Sequence, residues 1–191
     1  MFFLFSMIGW LWEVCLNLIM AGEFVNRGVL HGPWLPIYGT GGILILTFLN
    51  YFRKKPMMEC WMIAVLCGSV EYLTAATLEW LHHGQKWWDY SGYFLNLQGR
   101  ICAEGILVFS IGGMAIVYLV APMVDNLLQR LSKKAALVIC VALLVGFVAD
   151  VAYSGGNPNT GKGITDYSVK VENRVMEGIF FSKSGILFLG I

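Results

Sequence analysis

Residues 57–81, "MMECWMIAVLCGSVEYLTAATLEWL", decide how this chain folds. The run is longer than the ~20 residues a helix needs to cross hydrocarbon, and it carries acids inside an otherwise apolar stretch. Ala64, Gly68, Glu71, Ala75 and Glu79 recur at helical spacing and share a face. Small residues beside carboxylates mark a face that meets another helix closely, with the acids turned into the bundle.

Four further stretches have the same character: roughly 1–20, 37–52, 101–121 and 135–153, the second of them short, as suits a span that tilts little or packs deep. With 58% hydrophobic and 13% charged residues, the composition is that of a membrane protein rather than a soluble domain. Strands are excluded, because the runs lack strict alternation and an unpaired strand edge has no hydrogen-bond partner in lipid. "MFFLFSMIGWLWEV" (1–14) has no positive lead and carries Glu13, so it reads as a mature helix rather than a secretion signal. The expected fold is all-α: a polytopic integral membrane bundle of about five transmembrane helices with two structured outer loops.

A net charge of +1 points to no nucleic-acid partner, but the local distribution orients the chain. "FRKKP" (52–56) and "QRLSKK" (129–134) fall on one side of a five-helix serpentine, and short basic loops stay cytoplasmic. That predicts a multi-pass protein of the cytoplasmic membrane with a cytoplasmic N-terminus, and with 21–36, 82–100 and the tail outside. Residues 1–153 read as the transmembrane domain, and 154–191 as a polar tail whose end, "GIFFSKSGILFLGI", suits a short interfacial or re-entrant segment. Cys15, Cys60, Cys67, Cys102 and Cys140 lie in or beside apolar segments without a CxxC pair, as buried small hydrophobes would.

A charge at the bilayer centre costs roughly 2.5–3.5 kcal/mol on insertion scales, so the ionisable residues of the spans are expected to face a protein interior or a wet cavity. Ser6, Gly9, Glu13 and Asn17 share one face of the first segment; Arg100 and Glu104 sit one turn apart; Gly146, Asp150 and Tyr153 share a face of the fifth. Glu71 and Glu79 lie about 80° apart around their helix and roughly 12 Å apart along it, able to line one groove but not to share a proton. With Arg27, Arg100, His31, His82 and His83 as available cations, a mixed acid and base cluster is expected beneath the outer loops. The same residues also suit buried ion pairs that fix helix register without any ligand.

"NRGVLHGPWLPIYG" (26–39) and "HHGQKWWDYSGYFLNLQGRIC" (82–102) combine Gly, Pro and aromatics, a composition for tightly turned, partly buried backbone. Trp34, Trp87, Trp88, Tyr90 and Tyr93 suit headgroup anchoring. They also suit, with Asp89, a pocket for an organic cation. "EWLHH" (79–83) is a weak metal signal without matching ligands on other helices, so no metal site and no cofactor are expected. "GNPNTGKG" (156–163) imitates a phosphate-binding loop, but Gly163 stands where Ser or Thr should reach the magnesium and no buried strand precedes it. Its Asn157, Pro158, Gly161 and Gly163 read as turn formers. No nucleophile elbow, HExxH or DFG-like set is present, and catalysis has no positive signal.

"GWLWEV" (9–14), "NRGVLHGPWLPIYGTGG" (26–42), "EYLT" (71–74) and "WWDYSGYFLNLQGRIC" (87–102) resemble the bacterial membrane proteins named "putative ABC-transporter type IV", the CmpB-like permeases. The likeness covers about the first 120 residues and extends to "NPNTGKGI" in the tail. It implies an integral subunit working with a separate ATP-binding subunit, and it places Glu13, Arg27, Trp34, Glu71, Trp88, Asp89 and Arg100 at the family's polar and aromatic positions. The reading that follows is a permease-like transport subunit for an unidentified small molecule. Glu13, Glu71 and Glu79 line its cavity, Arg27 and Arg100 balance them, and Trp34, Trp87, Trp88, Asp89 and Tyr90 roof it. Two alternatives use the same residues: a small membrane enzyme acting on a lipid or envelope precursor with one carboxylate as base, and a non-catalytic accessory or sensor protein.

Overall fold

A computed structural model of the chain describes residues 1–165. Those residues are helical wherever the backbone is regular: α1 (Phe2–Ala21), α2 (Pro36–Phe48), α3 (Pro56–Leu81), α4 (Ala103–Ala115), α5 (Ala121–Gln129) and α6 (Lys133–Gly156). A π-helical turn, Ile116–Val120, joins α4 to α5 so that Ala103–Gln129 forms one rod. Four rods, α1, α3, α4–α5 and α6, are long and apolar enough to cross a membrane, while α2 is shorter. The protein is thus a polytopic membrane bundle. The terminal "GIFFSKSGILFLGI" lies outside the described residues.

The fourth span runs past the 101–121 stretch expected from hydropathy. Pro122 has no N–H and its ring crowds the carbonyl one turn back, which normally ends or kinks a helix. Here the wide π turn immediately before it absorbs the misfit, and the helix continues to Gln129. The turn also carries Tyr118, whose hydroxyl donates to Glu59 Oε2 (2.6 Å) in the first turn of α3.

The larger departure is at residues 22–35, expected to lie wholly as an outer loop. α1 ends at Gly22 in the left-handed conformation (φ 69°), as helices commonly do. The chain then runs back alongside α1 without forming a helix, until the Leu35 N–H donates to the Ser6 carbonyl at 3.0 Å. At 1.5 Å per residue, Ser6 lies roughly 20 Å from the end of α1, so the segment re-enters the bundle to that depth. Pro33 and Pro36 explain why no helix forms sooner: neither can donate a helical hydrogen bond, and helix starts at Pro36, whose missing N–H costs nothing in the first turn. α2 is therefore a half-helix that begins inside the bundle and runs to its basic end.

α1 packs on α2 and α3 on α4. The first contact is close because a side chain at Gly9 would collide with the Tyr38 ring. The second meets at Gly113, which faces the fully buried Ile63 of α3. Ile45, Leu49, Ile63 and Val117 form the core at the basic end, and Trp87, Trp88, Tyr90, Cys102 and Ile164 form the core at the loop-rich end. α6 is the least covered span: among the described residues Phe2, Phe3 and Trp34 pack on its Phe147, and only its Ser154 is buried. Cys15 and Cys140 are exposed on apolar faces, unlike the burial expected for all five cysteines, because each points outward from its span.

Adjacent glycines test this packing. A Cβ at Gly113 would lie 2.5 Å from Ile63 Cγ2, whereas one at Gly112 meets nothing. Gly113→Ala should destabilise the protein by about 1–3 kcal/mol. Gly112→Ala should be neutral or stabilising by up to about 1 kcal/mol through helix propensity. Thermal or denaturant unfolding in detergent measures both.

Candidate functional site

Where α2 begins, two carboxylates meet inside the bundle. Glu13 of α1 is 1% exposed; its Oε1 accepts from the Tyr38 hydroxyl (2.6 Å) and its Oε2 lies 3.9 Å from Arg27 Nε. Arg27 comes from the re-entrant segment and also donates to the Gly163 carbonyl. Glu71 of α3 is 0% exposed; its Oε1 accepts from the Tyr90 hydroxyl (3.1 Å), and its Oε2 is buried with no hydrogen-bond partner. Glu13, Tyr38, Glu71 and Tyr90 lie close enough to feel one another electrostatically. Five segments thus supply one cluster, in which the Glu13 charge is answered by Arg27 and Glu71, among the described residues, has only a phenol.

The loop-rich end closes over this cluster. Trp87 and Trp88 are 2% and 6% exposed, and their indole N–H groups donate to the carbonyls of Asn159 (3.1 Å) and Arg100 (2.9 Å). These two rings therefore pack the interior instead of facing headgroups; the outward tryptophans are Trp12, Trp61 and Trp80. The segment 157–165 lies across the roof. Asn159 Nδ2 donates to the carbonyls of Asn26 (2.8 Å) and Gly28 (3.0 Å), its backbone N–H to that of Val29 (2.9 Å), and Ile164 is buried beside Trp87 and Trp88. Gly161 and Gly163 have positive φ (120° and 79°), which lets this strap turn twice within a few residues.

The other residues chosen from sequence fall elsewhere. Glu79 and Arg100 pair at 2.7 Å near the surface, where Arg100 also lies over the Tyr72 ring at 5.2 Å. They border a shallow recess shared with Ala75, Leu78, Gln85, Lys86, Trp87 and Trp88. Asp89 bonds the Ser91 N–H (3.0 Å) and hydroxyl (2.5 Å), with Lys86 at 3.6 Å, and its carboxylate is half-exposed. Trp34 lies against α6: its Nε1 donates to Asp150 Oδ2 (2.6 Å), which also accepts from Gly32 N–H (2.8 Å), while Oδ1 takes His31 N–H (3.1 Å) and the Ser154 hydroxyl (3.1 Å). The structure therefore brings Glu13, Arg27, Glu71 and Tyr90 together, roofs them with Trp87 and Trp88, and leaves Glu79 with Arg100, Asp89, and Trp34 in three separate places. Among the described residues, no three His, Cys, Asp or Glu side chains are grouped to hold a metal.

Sequence reasoning missed Tyr38 and Asn159. Tyr38 sits in the Gly- and Pro-rich run that signals an irregular helix start, a usable hint. Asn159 gave none, since what it binds lies 133 positions earlier in the chain.

A multi-pass helical membrane protein with a buried, mixed-charge cluster at a broken helix is the class these features define. The chain belongs to the family described as "Putative ABC-transporter type IV", whose family-wide profile matches residues 1–155. No curated protein and no solved structure matches it.

Two measurements check the pairings. Asp150→Asn exchanges one accepting oxygen for an NH2 facing two of the four donors, and should destabilise by about 1–3 kcal/mol with a changed Trp34 environment in near-UV circular dichroism. Burial pushes the Tyr90 phenol well above its ordinary value. A tyrosine raised in the folded state lowers stability as pH climbs past about 10, where the unfolded chain ionises first. Tyr90→Phe should flatten that alkaline loss in pH-dependent unfolding.

Proposed function

We propose that the protein is an integral transport subunit whose solute site is the Glu13–Arg27–Tyr38–Glu71–Tyr90 cluster, held closed in this structure beneath residues 82–102 and 157–165. The observation that carries this reading is the start of the half-helix α2 beside two buried carboxylates. Short, Gly- and Pro-interrupted helices of this kind place backbone dipoles at a midplane binding site. Ionisable groups at that depth are costly unless function retains them. Arg27 is the hinge of the arrangement, since it ties Glu13 to the strap through Gly163.

In this reading the basic residues Arg53, Lys54, Lys55, Arg130, Lys133 and Lys134 face the cytoplasm, which puts the N-terminus inside and the roof outside a bacterial plasma membrane. Residues 1–153 act as the transmembrane domain, and 154–191 as an appendage whose first part closes the site. A separate ATP-binding subunit supplies the energy.

A thermal-shift screen of the detergent-solubilised protein against amino acids, amines, metals and lipids finds the solute, because a ligand of the folded state raises its apparent stability. The shift should disappear in Glu13→Gln and Arg27→Gln and survive in Asp89→Asn. Vesicles holding this protein and a co-purified ATPase should take up that solute, and a Walker-site change in the ATPase should abolish uptake. Undiminished uptake with the inactive ATPase overturns the ATP-driven reading.

A further inference from the structure

Among the described residues, four buried side-chain oxygens lack a hydrogen-bond partner: Ser6 Oγ, Glu59 Oε1, Glu71 Oε2 and Glu104 Oε2. Glu59 sits in the first turn of α3 beside the basic segment that carries Arg53, where the helix N-terminus favours a negative charge. Glu104 likewise lies in the first turn of α4. Glu71 has no such help. It stands in the middle of α3, entirely buried, with one oxygen on Tyr90 and the other on nothing.

Among the described residues, titratable groups face it from several elements. Glu13 faces it from α1, Tyr38 from α2, Cys67 from its own helix, and Tyr90 and Cys102 from the loop and its junction with α4. The cation that the described residues bring to the cluster, Arg27, is spent on Glu13 and on the Gly163 carbonyl. An ionised Glu71 would set a second carboxylate near Glu13, with the Arg27 guanidinium already committed to the first. Burying a charge without partner or water is among the most costly arrangements in a protein.

We propose that Glu71 is the protein's proton-binding site, loaded when the roof is closed, and that releasing the proton to water opens the roof formed by 82–102 and 157–165. The balance is simple: the carboxylic acid loses H⁺ to solvent, the cluster passes from neutral to a net single negative charge, and that charge requires water or a cationic solute. Arg27 carries the change outward, because the same guanidinium that answers Glu13 holds the strap at Gly163. Opening then also frees Asn159 from Asn26, Gly28 and Val29. This deepens the transport reading by naming the ion that gates its site, and it rests on that reading for the purpose of opening.

Hydrogen exchange of the full chain in detergent or nanodiscs, stepped from mildly acidic to mildly alkaline pH and corrected for intrinsic exchange, tests it. Amides of 157–165 in the wild type should lose protection by tenfold or more across one titration step, Glu79→Gln should behave likewise, and Glu71→Gln should stay protected throughout. Infrared difference spectra over the same range should show a carboxylic-acid carbonyl band in the wild type that is absent in Glu71→Gln. Should Glu71→Gln fail to fold, Tyr90→Phe serves: it removes the one donor that the described residues give the carboxylate, so the step should move to higher pH. A flat wild-type profile, a Glu71→Gln variant that retains step and band, or an unmoved step in Tyr90→Phe overturns the proposal. Solute uptake separates the two ideas. Proton-linked opening without any solute effect sinks transport alone; uptake identical in wild type and Glu71→Gln across pH sinks the proton site alone.

Discussion

Backbone polar groups inside a membrane protein must be hydrogen-bonded by the protein itself, and residues 22–35 make that constraint the organising one here. This segment descends beside α1 without helical hydrogen bonds. Its carbonyls at Asn26, Gly28 and Val29 are taken by Asn159, that of His31 by the Asn26 side chain, and its N–H groups at His31 and Gly32 by Asp150. Each partner fixes something larger. Asn159 draws the chain beyond α6 back across the bundle, and Asp150, with Phe147 packed on Phe2, Phe3 and Trp34, holds α6 to the body.

The same descent delivers Arg27 to Glu13 and lets α2 start alongside α1. Glu13 is tolerable because a phenol and a guanidinium meet it within the protein, and Asp150 because four donors converge on it. Glu71 is the exception, with a single donor and a bare oxygen. A membrane protein that retains an unsatisfied carboxylate so deep forgoes stability that an apolar residue would supply. That makes it the position where a chemical role is the best explanation.

Much of the architecture was legible. Long apolar runs with acids at helical spacing specify spans, and the boundaries of α1, α3 and α6 fall within a few residues of the hydropathy limits. The fourth span outran its expected end because a π turn, a backbone adjustment with no composition of its own, accommodates Pro122. The Pro- and Gly-rich run at 26–42 announced irregular backbone but not its depth. An outer loop and a re-entrant one have the same composition and differ only in what surrounds them.

The candidate site was legible as an inventory and not as an assembly. Helical period alone placed Glu13 and Glu71 on inward faces, since the solvation cost of a carboxylate in lipid acts on each helix separately. It also placed Glu79 inward, yet Arg100 holds it at the rim, and Asp89 and Trp34 found partners of their own. Which acid meets which base depends on contacts such as Arg27 with Gly163, 136 positions apart. The sequence by itself determined that this is a helical membrane protein with charges turned inward, because hydrophobicity and helical period are properties of local chain. Only the tertiary structure decided that Glu13 is paired, that Glu71 is not, and that the strap at 157–165 closes over both, because pairing is a matter of distances between segments that the chain brings together from afar.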